Sequence, residues 1–405
     1  MPVRTRSMTR NNEKKAVAKM CENIMMDLKK RKTLTINHHK RGKGEYEGGL
    51  NNNKPHGYGK CTWNGEETMG GTYEGEWEAG EMCGKGKFTY RSGDTYEGQI
   101  KDGMRWGYGK YIHTSGEIHE GEYVKNIKHG KGKLIKVSGD IYDGQWKDNL
   151  ADGNGKYIHK NGDIYEGEWH KAKKHGKGIM THKNGHIFDG YWFQHKFTKG
   201  KVIYENGDIY EGKWENYSRK YSIDYGQRGN PVGNGKMTYK NGNVYEGRWE
   251  KGKCTEGKIT LWNGEIYEGE LGTTFPEGKG KMIFKSGNIY EGEFKNGLMY
   301  GNGKMTYKNG ETYLGQWINN CYNGKGKMTY KNGDIYEGEW QWKKKHGTGK
   351  MFYNTGEIYE GSWSQDVISG YGKMTFKNNF DTYQGWWYNG KINNITTIEA
   401  LIKYI

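Results

Sequence analysis

The chain has 405 residues, with 64 Lys and Arg against 48 Asp and Glu, and a formal net charge of +16. It carries 33 Tyr, 15 Trp and 67 Gly but only 10 Phe, which argues against both a disordered chain and a large aliphatic core. The five cysteines are scattered, and no apolar run could serve as a signal peptide or membrane span. We therefore expect a soluble, cytoplasmic protein whose membrane contacts, where there are any, are peripheral.

The N-terminal segment holds most of the excess positive charge. Residues 1–44 contain 13 Lys and Arg against 3 Asp and Glu, a net charge of +10, whereas residues 45–405 have a net charge of +6. We expect a disordered basic arm at 1–11 and an amphipathic basic helix at 12–32, with Asn12 as its N-cap. The run Lys29, Lys30, Arg31 and Lys32 is also a weak match to a nuclear localisation signal.

A repeated motif fills the region from residue 45 to residue 391. The pattern Y-x-G-x-W recurs, mostly every 23 residues, which gives about fifteen repeats and indicates a repeat architecture. The first aromatic position falls at Tyr46, Tyr73, Tyr96, His119, Tyr142, Tyr165, Phe188, Tyr210, Tyr245, Tyr267, Tyr290, Tyr313, Tyr336, Tyr359 and Tyr383.

Each repeat contains two segments with the period-two pattern of a β-strand. In "GKGKMTY" (324–330) and "DIYEGEW" (334–340), Gly, Met, Tyr and Trp share one face and Lys, Thr, Ile and Glu the other. A three-residue loop, Lys331-Asn332-Gly333, would place Met328 opposite Tyr336 and Lys327 opposite Glu337. This register predicts one face of Tyr, Trp, Met and Gly and another that forms a Lys–Glu ladder.

The predicted fold is all-β: an elongated single-layer antiparallel sheet of repeated β-hairpins, with short capping helices at both termini. Loops of about six residues, such as 341–346, are expected to join the two strands of each repeat. Irregular repeats and an insertion at 215–233 predict a bend or soft segment near 188–275. Residues 392–405 are expected to form the C-terminal capping helix, because open sheets and repeat arrays need covered ends.

The repeats resemble the MORN repeat family (membrane occupation and recognition nexus), whose motif Y-E-G-x-W-x-x-G-x-x-x-G-x-G is followed closely by Tyr73–Gly93, Tyr290–Gly310 and Tyr313–Gly333. The resemblance implies an elongated β-sheet and an interaction role rather than catalysis, with relatives acting as scaffolds in cilia, in the cytoskeleton and at membrane junctions. Several repeats depart from the motif, including those that begin at Phe188 and Tyr245, where Thr198 and Thr255 replace a glycine.

Two surfaces are candidates for binding. The aromatic face is expected either to pack on itself or to dock a protein partner, because one layer of sheet cannot fully bury a face. The partner-binding candidates are Tyr142, Trp146, Tyr165, Trp169, Tyr313, Trp317, Tyr336, Trp340, Tyr359 and Trp363. This reading makes the protein a non-enzymatic scaffold or adaptor, with homodimers or end-to-end association as further options.

The alternative function is peripheral binding of anionic phospholipids through basic loops and the N-terminal arm. The residues assigned to it are Lys29, Lys30, Arg31, Lys32, Lys171, Lys173, Lys174, Lys343, Lys344 and Lys345. No nucleotide-binding, zinc-protease or serine-hydrolase motif occurs in the sequence. We therefore expect no catalytic residues, no metal site and no cofactor, and the chain matches no nucleic-acid module.

Overall fold

A computed structural model describes residues 19, 32–38, 41–64, 70–216, 229–272, 275–377 and 381–392. Contacts divide the chain into an N-terminal body, residues 1–196, and a C-terminal body, residues 197–405. The described residues form 31 strands, and in each body every strand pairs antiparallel with the next one in the chain. The predicted all-β meander is therefore confirmed. The bend or soft segment expected near 188–275 stays a prediction.

The strands of the N-terminal body are β1 (Lys32–His38), β2 (Gly42–Asn51), β3 (Lys54–Trp63), β4 (Gly71–Glu78), β5 (Glu81–Tyr90), β6 (Thr95–Lys101), β7 (Met104–Ile112), β8 (Ile118–Val124), β9 (Ile127–Ile135), β10 (Ile141–Lys147), β11 (Leu150–Ile158), β12 (Ile164–His170), β13 (Lys173–Thr181) and β14 (Ile187–Phe193).

The strands of the C-terminal body are β15 (Lys196–Ile203), β16 (Ile209–Asn216), β17 (Gly229–Thr238), β18 (Val244–Glu250), β19 (Lys253–Thr260), β20 (Ile266–Leu271), β21 (Pro276–Ile283), β22 (Ile289–Lys295), β23 (Leu298–Thr306), β24 (Thr312–Ile318), β25 (Cys321–Thr329), β26 (Ile335–Gln341), β27 (Lys344–Phe352), β28 (Ile358–Ser364), β29 (Val367–Thr375), β30 (Thr382–Tyr388) and β31 (Lys391–Ile392).

The two ends of the sheet differ from the sequence prediction. Strand β1 pairs with β2 and begins at Lys32, so the sheet starts before the first repeat and Lys32 is not helical. Ile392 lies in β31 rather than in a helix. Apart from Lys19, residues 12–31 of the predicted N-terminal helix lie outside the described residues, as do the arm at 1–11 and residues 393–405. No part of a capping helix is therefore supported.

The predicted hairpin register between repeats is confirmed. Met328 lies opposite Tyr336, and Lys327 lies opposite Glu337. The Tyr330 amide donates to the Asp334 carbonyl at 2.8 Å, and Gly333 has a φ of 91°. This is the three-residue loop with a left-handed glycine that the sequence predicts.

The predicted six-residue loop inside each repeat is wrong. Gln341 pairs directly with Lys344, so only Trp342 and Lys343 form the turn, and both have positive φ, 49° and 69°. Two such residues in sequence form a type I′ turn, which matches the twist of the flanking strands. In the same way, both ends of the predicted 215–233 loop are strand, since β16 and β17 pair up to Asn216 and Gly229, while residues 217–228 lie outside the described residues.

A β-bulge follows the two-residue turn inside most repeats and explains the missing loop. In β12 and β13 the pairing shifts between Gly167 and Trp169, which leaves Gly176 with a φ of 56°. The Glu168 carboxylate bends over this glycine and accepts a hydrogen bond from the Lys177 amide at 2.9 Å. Residues that the sequence suggests as loop are therefore absorbed into a bulged ladder.

One interruption of the core is His119, which occupies a Tyr position in the repeat and is 2% exposed. Its Nδ1 lies 2.7 Å from the Tyr123 hydroxyl, and its Nε2 has no hydrogen-bond partner within the described part of the chain. Burial, and secondarily the charges of Lys128 and Arg105, lower the pKa of His119 to about 3. The imidazole is therefore held neutral.

Turn strain gives the first prediction. Ala172 holds a φ of 60°, a conformation that costs a non-glycine residue about 1 kcal/mol. We expect Ala172→Gly to raise the free energy of unfolding by up to about 1 kcal/mol, measured by urea denaturation. The control is Ala151→Gly, at the second residue of β11, which should lower it by about 0.5–1 kcal/mol. Equal signs for the two variants would contradict the turn assignment.

His119 gives the second prediction. Between pH 6.5 and about 3 the unfolded chain takes up a proton on His119 that the folded chain does not, so stability falls as the pH falls. The slope from this group is about 1.4 kcal/mol per pH unit. His119→Tyr should remove this pH dependence. The free energy of unfolding of the variant minus that of the original chain should therefore increase from pH 7 to pH 4.5. A constant difference in urea midpoints would refute the assignment.

Candidate functional site

The aromatic face is the core of the sheet. Most repeat Tyr rings lie over the backbone of paired glycines, and their hydroxyls donate to a carbonyl three residues on, as Tyr313 does to Gln316 at 3.0 Å. Most repeat Trp side chains donate from Nε1 to a glycine carbonyl of the preceding repeat, as Trp317 does to Gly303 at 3.1 Å. The polar atoms of these rings are thereby satisfied inside the face.

Tyr and Trp rings also contact one another edge to face along each body. Trp317 meets the rings of Tyr290 and Tyr313 at centroid distances of 5.1 and 5.2 Å, and Trp340 continues the row through Tyr336. Such pairs add about 0.5–1.5 kcal/mol each beyond the area they bury. The rings therefore form a continuous ladder rather than an open stripe.

This face is therefore not an exposed surface, and partner binding by its aromatic residues stays a prediction. The ten aromatic candidates are all 7% exposed or less, because each ring is covered by rings of the next repeat and by glycine backbone. They are Tyr142, Trp146, Tyr165, Trp169, Tyr313, Trp317, Tyr336, Trp340, Tyr359 and Trp363. The alternative stated with it, that the face packs on itself, is the arrangement observed.

Some lysines of the predicted basic loops are buried in the bulged hairpins, and others are exposed. Lys174 lies in β13 and is 4% exposed, with Nζ 5.0 and 5.2 Å from the ring centroids of Tyr165 and Trp192. Burial lowers the pKa of Lys174 to about 8. Lys345 is half-buried in the same way over Trp363. Neither residue is on an exposed loop, because both side chains cover aromatic rings.

The other predicted basic residues fall into two groups. Lys171, Lys173, Lys343 and Lys344 are exposed at the hairpin ends. Lys29, Lys30 and Arg31 lie outside the described residues, and Lys32 begins β1. Only the first group thus forms a described basic surface.

The opposite face of the sheet is polar and open. It carries the predicted ladder of Lys–Glu pairs, such as Lys327 with Glu337 at 2.7 Å and Lys350 with Glu360 at 3.1 Å. Between the rows of charge, the paired glycines leave backbone uncovered. The result in each body is a groove with a glycine floor and walls of lysine and glutamate.

The N-terminal groove has a volume of about 830 Å³ and is lined by Tyr58, Glu74, Lys85, Gly86, Lys87, Glu97, Gly98, Gln99, Tyr108, Gly109 and Lys110. Tyr58 and Tyr108 occupy the middle position of G-x-G, and they are 57% and 56% exposed. Their hydroxyls donate to Glu74 at 3.3 Å and to Glu120 at 3.0 Å. Four strand spacings of about 4.8 Å place the two rings roughly 19 Å apart.

The C-terminal groove has a volume of about 1040 Å³. Lys325, Lys350, Glu360 and Tyr371 are among the residues that line it, and Tyr371 is half exposed and contacts Trp386 edge to face. Neither groove was predicted from the sequence. The available sign was Tyr at 58, 108 and 371, at the middle position of G-x-G where most repeats have Lys or Asn.

The acidic residues after the inter-repeat turns also hold neighbouring repeats together, whereas the sequence suggests only a role within their own turn. Asp163 accepts a hydrogen bond from the Lys183 amide of the next turn at 2.9 Å, and Asp334 does the same for Asn354 at 2.8 Å. Neighbouring repeats are thereby joined along this edge. Among the residues that the structure describes, no group of three or more His, Cys, Asp or Glu could hold a metal ion.

No helix in the described part of the chain is long and apolar enough to span a membrane.

Among solved structures, the SAS-4 (dCPAP) TCP domain of Drosophila melanogaster, in complex with a proline-rich motif of Ana2, is 15% identical, covers 43% of this chain and 98% of its own, and has a TM-score of 0.26. The TCP10 domain of Danio rerio CPAP, in complex with a STIL peptide, is 10% identical, with coverages of 63% and 89% and a TM-score of 0.19. A streptogramin B lyase is 13% identical, with coverages of 82% and 94% and a TM-score of 0.12. Likenesses this weak say nothing about what this chain binds.

No curated protein sequence matches the chain significantly. The family model of the MORN repeat matches residues 46–65, 73–95, 96–118, 119–141, 142–164, 165–187, 227–244, 267–289, 290–312, 313–335, 336–358 and 359–379. These twelve segments agree with most of the fifteen repeats read from the sequence, and the unmatched stretches fall mainly within 188–266. Because the matches extend over more than half of the chain, this protein belongs to the MORN-repeat family.

Proposed function

We propose that the protein is a non-enzymatic scaffold that binds protein partners through the grooves of its polar face. The observation that carries this proposal is the exposure of Tyr58 and Tyr108 above a glycine floor, whereas nearly all Tyr at the first aromatic position of the repeat are buried. Exposed tyrosines supply contact area with little loss of side-chain entropy, and they recur at the centres of protein interfaces.

The chemistry of the groove favours an extended polypeptide. Partly exposed backbone at Gly86 and Gly98 allows a main chain to approach closely, and the lysine and glutamate walls offer partners of both signs. The distance between the tyrosines corresponds to about six residues of extended chain. A segment with side chains of both charges would therefore complement this surface.

An intracellular location, in a cytoskeletal, ciliary or membrane-associated assembly, is part of the proposal. Cys61, Cys83, Cys254 and Cys321 are free, which is the usual state of cysteines in a reducing compartment. Two bodies with a groove each would suit a scaffold that engages more than one segment.

The third prediction tests the groove. A random peptide library displayed on phage is selected against the full chain, and dissociation constants of the selected peptides are measured by fluorescence anisotropy. We expect the double variant Tyr58→Ala, Tyr108→Ala to weaken binding by about tenfold or more, since loss of a central aromatic costs roughly 1–2 kcal/mol.

The matched control is Phe193→Ala, which removes an aromatic ring that is 55% exposed and lies outside the groove. It should leave the dissociation constants within about twofold. Equal losses in the two variants, or no loss in either, would show that the groove is not the binding site.

A second candidate function is binding of an anionic membrane surface. The observation that favours it is the turn of β26 and β27, where Trp342 is 59% exposed beside the exposed Lys343 and Lys344. Trp enters the membrane interface readily, and each Lys near an anionic surface contributes about 1 kcal/mol. The buried Lys174 and half-buried Lys345 do not belong to this surface.

The fourth prediction separates this candidate from the first. In sedimentation with phosphatidylserine-containing vesicles, Lys343→Glu with Lys344→Glu should lower the bound fraction, and salt should release the original chain. The control is Lys308→Glu with Lys331→Glu, which makes the same charge change at exposed positions on the opposite turns. Equal behaviour of the two double variants would reject this turn as a membrane contact.

A further inference from the structure

Among the described residues, strand β1 is the edge strand of the sheet in the N-terminal body. Its seven residues pair with β2 in unbroken register, from Lys32 opposite Gly48 to His38 opposite Gly42. Within the described ranges, no strand pairs with its other side. Such an edge presents a row of backbone N–H and C=O groups that can take up another strand.

The devices that normally protect an edge strand are missing from the centre of β1. Residues 33–37, "TLTIN", contain neither a charge nor a proline, and the pairing with β2 has no bulge. By contrast β31, the last strand of the C-terminal body, is only two residues long. Short, charged or bulged edges resist pairing, and a seven-residue edge with an uncharged centre favours it.

The apolar side chains of β1 are only partly buried. Leu34 and Ile36 pack against the aromatic cluster that includes Tyr46 and Trp63, yet both remain half-buried. Thr33, Thr35 and Asn37 are exposed on the polar face. One further strand beyond β1 would cover the free flanks of the two aliphatic side chains.

We propose that β1 pairs antiparallel with β1 of a second copy of this chain, around a two-fold axis at Thr35. In this register Thr35 lies opposite its own copy, and Leu34 lies opposite Ile36 of the partner subunit. Only a register in which residues of the same parity face each other keeps the apolar face of one copy continuous with that of the other. The full length of β1 is then paired.

A second copy is favoured over another strand because the edge is self-complementary. The two-fold axis makes the pair Leu34 with Ile36 of the partner subunit twice, and the pair Thr33 with Asn37 of the partner subunit twice. Each pair joins side chains of like character: the aliphatic pair lies on the apolar face and the other pair on the polar face. The interface is isologous and closes on itself, so it yields a dimer rather than a fibre.

The first test uses charge at the two-fold axis, with sedimentation velocity of the full chain over a range of concentrations. Thr35→Lys places two ammonium groups directly opposite each other in the dimer, whereas within a single copy it places the new ammonium group opposite Glu45. We expect the dimer dissociation constant to rise by roughly tenfold or more. Thr35→Glu should do the same.

An equimolar mixture of the Thr35→Lys and Thr35→Glu chains should restore dimers, because the axis then joins opposite charges. This rescue excludes misfolding as the cause of the losses. A chain that is monomeric at all concentrations, or a dimer that neither substitution weakens, would overturn the proposal.

A cross-link gives an independent test of the register. Paired strands place the Cα atoms of opposite residues about 4.5–5.5 Å apart, within the range of a disulfide. Thr35→Cys should therefore form a covalent dimer under mild oxidation. The control is Thr33→Cys, whose two copies would lie roughly 14 Å apart in this register and should not cross-link. Equal cross-linking of both variants, or none in Thr35→Cys, would overturn the register.

Discussion

The structure depends on the close approach of a tyrosine ring to a pair of glycines. Gly315 and Gly326 lie opposite each other in neighbouring strands, and a Cβ on Gly326 would overlap the Tyr313 phenol. Because the ring lies flat on bare backbone, its hydroxyl reaches the Gln316 carbonyl, and Trp317 can pack against its edge. The fixed offsets of Tyr, Gly and Trp in the sequence are thus one geometric requirement stated many times.

This requirement decides which face can have a function. A layer of sheet ordinarily has no means to bury one face alone, but here ring upon ring covers it, and most repeat Trp side chains reach a carbonyl of the preceding repeat through Nε1. What remains accessible is the polar face, whose Lys–Glu pairs are nearly uniform, together with the turns at the strand ends. Distinct surface therefore arises only where the chain departs from its own repeat, as at Tyr58, Tyr108 and Tyr371.

The sequence allowed the strand pairing to be predicted, because period two and the left-handed Gly333 leave only one register that separates aromatic from charged residues. The two-residue turns inside the repeats were missed although some carry the usual signal for positive φ, such as Asp102-Gly103 and Asn296-Gly297, while the turn at Trp342 and Lys343 has neither glycine nor asparagine. The bulge was not predicted, because nothing in G-x-G distinguishes the left-handed Gly176 from an extended strand glycine. That the aromatic face packs on itself was one of two expectations, and the contacts that decide between them join neighbouring repeats, which no single repeat shows. Strand β1 was missed although "TLTIN" alternates, because it lies outside the repeat.

The irregular repeats show that two devices set the bulge, and that both can be lost together. A left-handed glycine supplies the extra residue, and a Glu or Gln such as Glu168 clamps the next amide. In the repeats that begin at Phe188 and Tyr245 the glycine is missing, and the clamp position holds Tyr191 and Arg248. The repeat that begins at Tyr210 has Lys213 there, and its Tyr210–Trp214 ring distance is 6.1 Å, against 5.2 Å for Tyr313–Trp317. By contrast, the repeat that begins at Tyr359 has Ser362 at the clamp position and keeps a ring distance of 5.3 Å. Ring packing along the array therefore varies with the sequence of each repeat, although the repeats share one fold.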